Sequence, residues 1–252
     1  DRNYLEMKII TWNCNGIRAR FPLIEKLIEN ENPDVIFLQE TKIEDKIFPS
    51  KSFFDLGYNH LFFRGEKSYN GVACISRIPF DDSGYKNWSN LKDCRHIYIR
   101  FNELTINNFY VPAGGDIPDI NNEKFKHKVS FLLEVESWLS KKTTPIKEIL
   151  LGDLNIAPLP DDVWSHKQLL NVVSHTPQEV QLLDKILISG NFTDIVREFY
   201  KVPEKVFSWW SYRSKDWELS NRGRRLDHIW TTKEIVSRTK KVKILKEARG
   251  WE

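Results

Sequence analysis

Short, continuous apolar runs that end abruptly in polar residues recur along this chain. Residues 34–38 read DVIFL and lead into Glu40, and residues 148–151 read EILL and lead into Asp153. A continuous apolar run of this length is typical of a strand that is buried on both faces. Functional side chains are usually placed on the loops that follow such rigid strands. The pattern therefore predicts buried strands that carry polar groups at their ends.

Segments with strand patterns and segments with helix patterns follow one another without strict alternation. Predicted strands cover residues 8–13, 34–38, 71–76, 97–101, 105–110, 148–151, 206–212, 226–231 and 242–246, and predicted helices cover 21–30, 122–140 and 177–189. This order favours two sheets packed face to face with helices outside them. The predicted fold class is α/β, a four-layer α/β sandwich with two packed mixed β-sheets flanked by helices.

The composition is that of a chain with one large core. It has 252 residues, 40% of them apolar, including nine Trp and fifteen Phe. This length is close to the upper limit for one hydrophobic core, so we expect one domain over residues 7–252. Residues 1–6 precede the only methionine and the first predicted strand, and we expect them to be an expression remnant.

The three cysteines, Cys14, Cys74 and Cys94, show no CxxC spacing. This argues against both a disulfide framework and a zinc site, and it fits a reducing compartment. No apolar run reaches the ~18 residues that span a bilayer. We therefore expect a cytoplasmic protein without a membrane partner.

The net charge of +3 is unevenly distributed. Residues 213–252 contain twelve Lys or Arg against six Asp or Glu. Charge alone favours a solvated face for this basic segment. A polyanionic partner becomes the better interpretation only if the chemistry of other residues requires one.

Four polar clusters lie at predicted strand ends. They are Asn13 with Asn15, Glu40 with Lys42, Tyr110, and the sequence GDLN at residues 152–155. Residues i and i+2 of an extended segment share a face, so Asp153 and Asn155 can address one small target. Taken alone, GDLN is more typical of a turn, and Glu40 could equally be a solvated carboxylate. The recurrence of hard oxygen ligands favours a partly hydrated Mg²⁺ over Zn²⁺, and such an ion commonly acts on phosphates.

Seven longer motifs place these clusters in a known context. They are TWNCNGIRAR, PDVIFLQETK, YNGVACIS, NFYVPAGG, ILLGDLNIAP, FSWWSYRS and NRGRRLDHIW. Their order and spacing resemble the exonuclease III family of abasic-site (AP) endonucleases, within the endonuclease/exonuclease/phosphatase superfamily. The resemblance implies one such domain over residues 7–252. It also implies a metal-dependent DNA phosphodiesterase that cuts 5′ to abasic sites in base-excision repair, with 3′-to-5′ exonuclease and 3′-end-processing activity.

The resemblance also implies roles for individual residues. Glu40 matches the principal metal ligand, with Asn13 and Asn15 in or near the coordination sphere of Mg²⁺, for which Mn²⁺ can substitute. Asp153 matches the carboxylate that orients or deprotonates the attacking water. Asn155 matches an amide that donates to the phosphate oxygens as charge builds, and Tyr110 matches a tyrosine that hydrogen-bonds the scissile phosphate.

Asp227 matches the carboxylate that orients the catalytic histidine of the family. That histidine normally follows in a Ser-Asp-His segment, which does not occur in these 252 residues. We expect the natural protein to continue beyond Glu252 through that segment, and we expect this polypeptide itself to be weak or inactive. His228 adjoins Asp227 and is expected to point to the opposite face of a strand, so it does not replace the missing group.

The segment FSWWSYRSKDWELSNRGRR combines aromatic and basic residues. Taken alone, this segment could be a core strand with a charged hairpin. The resemblance implies instead that it lines the pocket that receives an extruded sugar lacking its base. Trp209 falls at the stacking position, and Arg224 stands where relatives often carry a bulky apolar residue. Predicted contacts with the DNA backbone are Arg18, Arg20, Lys42, Tyr69, Asn70, Gly71, Arg213 and Arg222. The predicted partner is double-stranded DNA with abasic or damaged 3′ ends, bound by a monomer.

Two other interpretations remain open at this point. Relatives that hydrolyse inositol phosphates, sphingomyelin or unspecific DNA share the metal-binding motifs, but are not expected to combine them with IRAR at residues 17–20, the Trp209-Trp210 pair and RRLD at residues 224–227. A non-catalytic DNA-binding protein that kept the fold and lost the histidine is the second alternative. The complete gene sequence distinguishes it from an enzyme.

Overall fold

This computed structural model describes residues 6–142 and 147–251. The chain divides into two compact units. Unit 1 comprises the chain up to Tyr110 together with Leu150–Asp153, and unit 2 comprises Val111–Ile149 and Leu154–Trp251. The expression remnant predicted at residues 1–6 lies outside the described residues except for Glu6, and the single domain over residues 7–252 stays a prediction.

The strands and helices alternate irregularly along the chain. The strands are β1 (Ile9–Asn13), β2 (Val35–Gln39), β3 (His60–Glu66), β4 (Tyr69–Ser76), β5 (Asp82–Gly84), β6 (His96–Phe101), β7 (Leu104–Tyr110), β8 (Lys147–Asp153), β9 (Phe192–Asp194), β10 (Trp209–Trp210), β11 (Gly223–Arg224) and β12 (Asp227–Thr232). The α-helices are α1 (Ile17–Glu31), α2 (Ser50–Asp55), α3 (Glu123–Ser140), α4 (His166–Leu169), α5 (Pro177–Ser189), α6 (Ile195–Phe199), α7 (Trp217–Ser220) and α8 (Lys233–Val236). Short 3-10 helices cover Asp45–Ile47, Pro160–Asp162 and Lys246–Gly250.

Unit 1 contains a mixed four-stranded sheet in the order β1-β2-β4-β3. β1 and β2 are parallel, whereas β4 is antiparallel to both β2 and β3. In the same unit, β5, β6, β7 and the end of β8 lie side by side in a second sheet. β4 and β2 pack against β7, so the two sheets lie face to face. The predicted α/β class with two packed sheets and accompanying helices is confirmed.

A buried amide pair joins the two sheets of unit 1. Gln39 Nε2 donates to Asn108 Oδ1 at 2.8 Å, and both side chains are almost completely buried. Asn108 Nδ2 donates in turn to the carbonyl oxygens of Leu38 at 3.1 Å and Ala73 at 3.3 Å. Because buried polar groups are costly unless they are hydrogen-bonded, these bonds favour one alignment of the sheets.

The apolar face of α1 covers the other side of the four-stranded sheet. Ile17, Ile24 and Ile28 pack in one cluster with Ile36 of β2 and Ile75 of β4. Their spacings of seven and four positions place them on one face of a helix. The helix starts at Ile17, four residues before the predicted start, because Gly16 at φ 99° makes the turn that lets Ile17 point into the core.

Unit 2 contains β12 paired antiparallel with β9, and β10 paired antiparallel with β11. Helices α3 and α5 pack against each other, and α6 and α8 pack against β12. Across residues 6–142 and 147–251, no helix is both long and apolar enough to cross a membrane.

Two predicted strands differ from the structure. The strand expected at residues 206–212 is limited to Trp209–Trp210. The prediction of a strand at residues 242–246 is wrong. The side chains of Val242 and Ile244 do pack on an apolar cluster, but the Val242 carbonyl oxygen accepts from the Tyr200 hydroxyl at 3.0 Å. Alternating burial there reflects one buried face, without strand pairing.

β3 is a strand that the sequence pattern did not reveal. It forms the edge of its sheet, and all seven of its residues are half-buried. An edge strand of this kind lacks the clear alternation of buried and exposed residues on which the prediction of strands depends.

Candidate active site

Two carboxylates of unit 1 flank one amide group. Asn13 ends β1, Glu40 follows β2, and Asp153 ends β8. Because β1 and β2 are parallel, with Asn13 opposite Gln39, their carboxyl ends lie at the same edge of the sheet. Asn13 Nδ2 donates to Glu40 Oε1 and to Asp153 Oδ2, each at 2.8 Å. The structure thus brings together predicted site residues that are up to 140 positions apart.

The backbone around this amide is strained at several predicted site residues. Asn15, Glu40 and Lys42 have φ values of 46°, 53° and 54°. Residues other than glycine seldom adopt this left-handed region, and such strain clusters at functional sites. Asn13 Oδ1 accepts from the Asn15 backbone N–H at 3.0 Å, which holds the turn after β1 in place.

Lys42 supplies a positive charge beside Glu40. Its Nζ atom donates to Asn15 Oδ1 at 2.6 Å and lies 3.4 Å from Glu40 Oε2. One oxygen of the Glu40 carboxylate therefore faces Asn13, and the other faces Lys42.

The Tyr110 hydroxyl remains protonated in this setting. Tyr110 ends β7 and is buried, and burial raises the pKa of its hydroxyl far above the usual range. The negative charges of Glu40 and Asp153, and a hydrogen bond to Glu40, raise this pKa further. Tyr110 is therefore a permanent hydrogen-bond donor at neutral pH.

The donor set of this cluster fits a hydrated, hard divalent cation. Among residues 6–142 and 147–251, no group of three or more His, Cys, Asp or Glu side chains could hold a metal, so a closed zinc-type cage is absent there. Glu40 and Asp153 instead offer two carboxylates within hydrogen-bonding distance of one nitrogen atom. Mg²⁺-like ions need only one or two carboxylates because they keep several waters. A cation would also relieve the repulsion between the two like charges.

The predicted DNA-backbone loop is tied to the Glu40–Lys42 turn. The backbone N–H of Lys42 donates to the Asn70 carbonyl oxygen at 2.8 Å, and that of Thr41 donates to the Gly71 carbonyl oxygen at 3.2 Å. Gly71 has φ 96°, and a Cβ atom there would lie 2.1 Å from Thr41 Oγ1, so only glycine allows this approach. Tyr69 is 70% exposed and points away from the core.

The two predicted arginines of unit 1 lie at the start of α1. Arg18 is exposed and Arg20 is half-buried, and both belong to the first turn, directly after the Asn15-Gly16 turn. Their position leaves Arg18 accessible to a ligand in solution.

Asn155 follows Asp153 by two positions but belongs to unit 2. Its φ value is 53°, again in the left-handed region. Its side-chain Nδ2 donates to the Val111 carbonyl oxygen at 2.7 Å, and its own carbonyl oxygen accepts from Lys128 Nζ at 2.7 Å.

Asp227 and His228 point to different environments of unit 2. Asp227 Oδ2 accepts from Ser208 Oγ at 2.8 Å, and Ser208 Oγ accepts in turn from the Asp227 backbone N–H at 2.9 Å. His228 is completely buried, and its Nε2 lies 2.7 Å from the Ile156 carbonyl oxygen. Burial, with the nearby Arg225 charge second, lowers the pKa of His228 to about 4. His228 is therefore a neutral core residue.

Arg224 and Trp209 face each other across the β10–β11 ribbon. The Arg224 guanidinium carbon lies 5.6 Å from the centroid of the Trp209 ring. Its Nη1 donates to the Val173 carbonyl oxygen at 3.1 Å and to Ser174 Oγ at 2.8 Å. Burial lowers the pKa of Arg224. A cation thus lies where relatives were expected to carry an apolar side chain.

The remaining predicted contacts of unit 2 lie on its surface. Arg222 places its guanidinium carbon 4.8 Å from the centroid of the Trp164 ring, and Arg213 is exposed after the β10 strand. Stacking on tryptophan leaves the edge of the guanidinium able to donate hydrogen bonds.

Arg95 is a residue near this cluster that the sequence analysis missed. Its guanidinium carbon lies 5.0 Å from the centroid of the Tyr110 ring, and its Nε pairs with Asp93 Oδ2 at 2.5 Å. Arg95 directly precedes β6, which is antiparallel to β7, so it lies beside the carboxyl end of β7. A search for charged pairs before strands, as well as after them, would have found it.

Comparison with known proteins agrees with this geometry. A model described as the Endonuclease/Exonuclease/phosphatase family matches residues 10–249. Exodeoxyribonuclease III of Haemophilus influenzae is 32% identical over 98% of this chain and 95% of that protein.

Two solved structures resemble the whole fold. A 3′-5′ exonuclease from Neisseria meningitidis has a TM-score of 0.89 at 28% identity, covering 98% of this chain and 94% of that chain. An AP endonuclease from Archaeoglobus fulgidus has a TM-score of 0.84 at 30% identity, covering 92% of this chain and 89% of that chain. These likenesses confirm the resemblance inferred from the seven motifs. The chain belongs to the Endonuclease/Exonuclease/phosphatase family.

Proposed function

We propose that this protein is a metal-dependent DNA phosphodiesterase that cuts 5′ to abasic sites, with 3′-to-5′ exonuclease and 3′-end-processing activity, in base-excision repair. The observation that carries the proposal is the bridge from Asn13 to both Glu40 and Asp153. It is supported by the likeness to an exodeoxyribonuclease III and to an AP endonuclease.

In this proposal Glu40 is the principal ligand of a Mg²⁺ ion, with Asn13 and Asn15 in or near its coordination sphere. Mn²⁺ substitutes for it. When bound, the ion neutralises phosphate charge and polarises the phosphoryl group. The residues of the chain do the rest: they align the reactants and move the proton.

Each remaining residue has one task. Asp153 orients the attacking water and takes its proton. The protonated Tyr110 and the Asn155 amide donate hydrogen bonds to the phosphate oxygens as negative charge builds. Asp227 orients the histidine of a Ser-Asp-His segment, which these 252 residues do not contain.

The substrate we propose is double-stranded DNA with an abasic site or a damaged 3′ end, bound by a monomer. Arg18, Arg20 and Lys42 contact phosphates, as does the loop of Tyr69, Asn70 and Gly71. Arg213 and Arg222 contact phosphates as well, while Trp209 and Arg224 line the pocket for the extruded sugar. A cytoplasmic location is part of the same proposal.

The decisive experiment uses a duplex with one tetrahydrofuran abasic analogue, incubated with and without Mg²⁺. This chain and a version extended through a Ser-Asp-His segment are compared, and the ends of the products are mapped. We expect metal-dependent cleavage 5′ to the analogue, fast for the extended chain and slow or absent for this one. Equal rates for the two would contradict the assigned need for the histidine.

The second candidate is a DNA-binding protein without catalysis. The same experiment separates the two, because this candidate binds the duplex tightly but leaves it uncut in both forms. Inositol phosphates serve as the control substrate, since their hydrolysis would point to the phosphatase relatives instead.

A further inference from the structure

The ammonium group of Lys128 lies in the interior of unit 2. Lys128 belongs to α3, and its partner Glu179 lies in the first turn of α5. Their Nζ and Oε2 atoms are 2.5 Å apart, and neither side chain has exposed surface. Removing two charges from water costs more than their attraction returns unless the remaining N–H groups are also bonded. Apolar side chains would join α3 to α5 at least as well.

The ammonium group of Lys128 has at least three acceptors among the described residues. Besides Glu179, the Nζ atom donates to the carbonyl oxygens of Ala113 at 3.2 Å and Asn155 at 2.7 Å. The two carbonyls belong to the segments that follow β7 and β8. Lys128 therefore connects the α5 N-terminus to both of these segments, which an apolar residue cannot do.

The position of the ammonium is set from both sides. Glu179 accepts from Thr176 Oγ1 at 2.7 Å and from the Ser174 backbone N–H at 2.9 Å, in addition to the capping box that it forms with Thr176 at the start of α5. On the other side, Gly114 at φ 92° makes room for the lysine stem, because a Cβ atom there would lie 2.7 Å from Lys128 Cδ. The Nζ atom thus has little freedom to move.

The ammonium of Lys128 contacts Asn155, a residue with an unusual backbone conformation. Its backbone is left-handed, which disfavours an L-residue. Its carbonyl accepts from Lys128, and its side chain donates to the Val111 carbonyl oxygen. The direction of a short side chain follows its backbone angles. Loss of the Lys128 bond would therefore remove one of the contacts that fix the direction in which the Asn155 amide points.

We propose that Lys128 is a positioning residue for Asn155, and that this task, rather than stability, explains the buried ion pair. The inference rests on the proposed function, in which Asn155 donates to the phosphate. Lys128 touches no reacting atom. It acts by holding one donor in the orientation that the transition state requires.

The test uses the double variant K128M/E179Q in the full chain and in the chain extended through a Ser-Asp-His segment. Both charges are removed together, because a single substitution leaves a buried charge uncompensated and risks unfolding. The E179Q amide oxygen can still accept from Thr176, so the cap of α5 is kept. K142M/E148Q is the matched control, since it removes another ion pair of unit 2, between the end of α3 and the start of β8.

Two readouts distinguish positioning from packing. In the ¹⁵N spectrum of this chain, K128M/E179Q should shift the Asn155 side-chain amide signals, whereas K142M/E148Q should not. In the extended chain, K128M/E179Q should lower kcat about 10- to 100-fold with KM changed less than about twofold, as expected for a misplaced donor. Combined with N155A, it should lower kcat no further than N155A alone.

Unshifted Asn155 signals, or a loss of kcat that adds in full to that of N155A, would overturn the inference and leave the proposed function standing. A wild-type extended chain that does not cut DNA would instead contradict the proposed function, while the amide signals still report on Lys128. Thermal melts of both double variants show that each is folded before either readout is taken.

Discussion

A neutral side chain of unit 1, that of Asn13, lies between two carboxylates. Asn13 places a single NH₂ group between the carboxylates of Glu40 and Asp153. An amide can do this without adding charge, so it holds two like charges together at the edge of the sheet. Tyr110 stays protonated beside them, because burial and then the charges of both carboxylates raise its pKa.

Glu40→Gln tests the metal assignment. The amide keeps the size of the side chain and an oxygen that faces Asn13, so the fold should persist. We expect DNA cleavage by the extended chain to fall about 100-fold, with a higher Mg²⁺ concentration for half-maximal rate, because one charged ligand is lost. Glu31→Gln, which alters an exposed pair with Lys8, serves as the control in the same magnesium titration. A full rate for E40Q at every Mg²⁺ concentration would remove Glu40 from the site.

His228 predicts a specific loss of stability in acid. Its pKa is about 4 in the folded protein and about 6.5 when unfolded. Only the unfolded state gains a proton as the pH falls from 6.5 to 4, so this contribution, present above pH 6.5, is lost across that window. It amounts to about 3 kcal/mol.

His228→Gln removes this titration and keeps a donor for the Ile156 carbonyl oxygen. Urea unfolding at pH 7, 6, 5 and 4 should show a flatter decline for H228Q than for the wild type. The control for loss of a histidine as such is H60Q, on the half-buried edge strand β3. Parallel curves for H228Q and the wild type would show that His228 is not buried as a neutral group.

At the scale of elements, the carboxyl end of β8 depends on a close approach to β7. Gly152 has φ 131°, and a Cβ atom there would lie 2.0 Å from the Phe109 carbonyl oxygen. Only glycine lets the backbone of β8 come this close to β7. This approach also places Asp153, which directly follows Gly152. The glycine of the GDLN motif is therefore required by the sheet, in addition to any turn.

Gly152→Ala should destabilise the protein by more than about 2 kcal/mol, since strain and a backbone clash act together. Gly57→Ala separates the two effects, because Gly57 has φ 90° but open space around its Cβ position. G57A should cost only about 1 kcal/mol of strain. The urea midpoints of the two variants provide the comparison, and equal midpoints would refute the clash.

Strand ends were the part of the site that the sequence could reveal. Asn13, Glu40 and Asp153 each follow an apolar run, and that pattern is local. Their convergence depends on contacts between residues up to 140 positions apart. Sequence spacing does not specify such contacts, so the prediction that these residues share one site came from the family resemblance. The role of Lys128 could not be predicted for a related reason. It lies within an ordinary amphipathic helix, and only the tertiary structure shows which acceptors surround it. The half-buried strand β3 lacked a pattern altogether.

At the scale of the whole molecule, charge predicts how DNA affinity responds to salt. The logarithm of the affinity for duplex DNA, measured in EDTA to prevent cleavage, should fall linearly with the logarithm of the salt concentration, by about 0.9 for each phosphate neutralised. Lys42→Ala and Arg213→Ala should each reduce that slope by about one. Lys51→Ala, an exposed residue paired with Asp55 on α2, should leave it unchanged. A flat response of the wild type would rule out the basic contacts as a group.

Asp227 provides a comparison between this chain and the chain extended through a Ser-Asp-His segment. Asp227→Asn should slow the extended chain at least about tenfold, because the histidine loses the carboxylate that orients it. The same change should leave the residual rate of this chain unaltered, since there is no such histidine to orient. Cleavage rates of this chain and of the extended chain, each with and without Asp227→Asn, form a double-mutant cycle. Equal effects in both backgrounds would assign Asp227 a purely structural task.

The amide pair of Gln39 and Asn108 affects the order in which the protein loses its site and its strands in denaturant. Gln39 directly precedes Glu40, so no residue separates the amide pair that joins the two sheets from this carboxylate. We expect a shift of one sheet against the other that breaks this pair to displace Glu40 before either sheet loses its own strand pairing. Mild denaturant should therefore abolish cation affinity while the far-ultraviolet circular dichroism of the chain is still native.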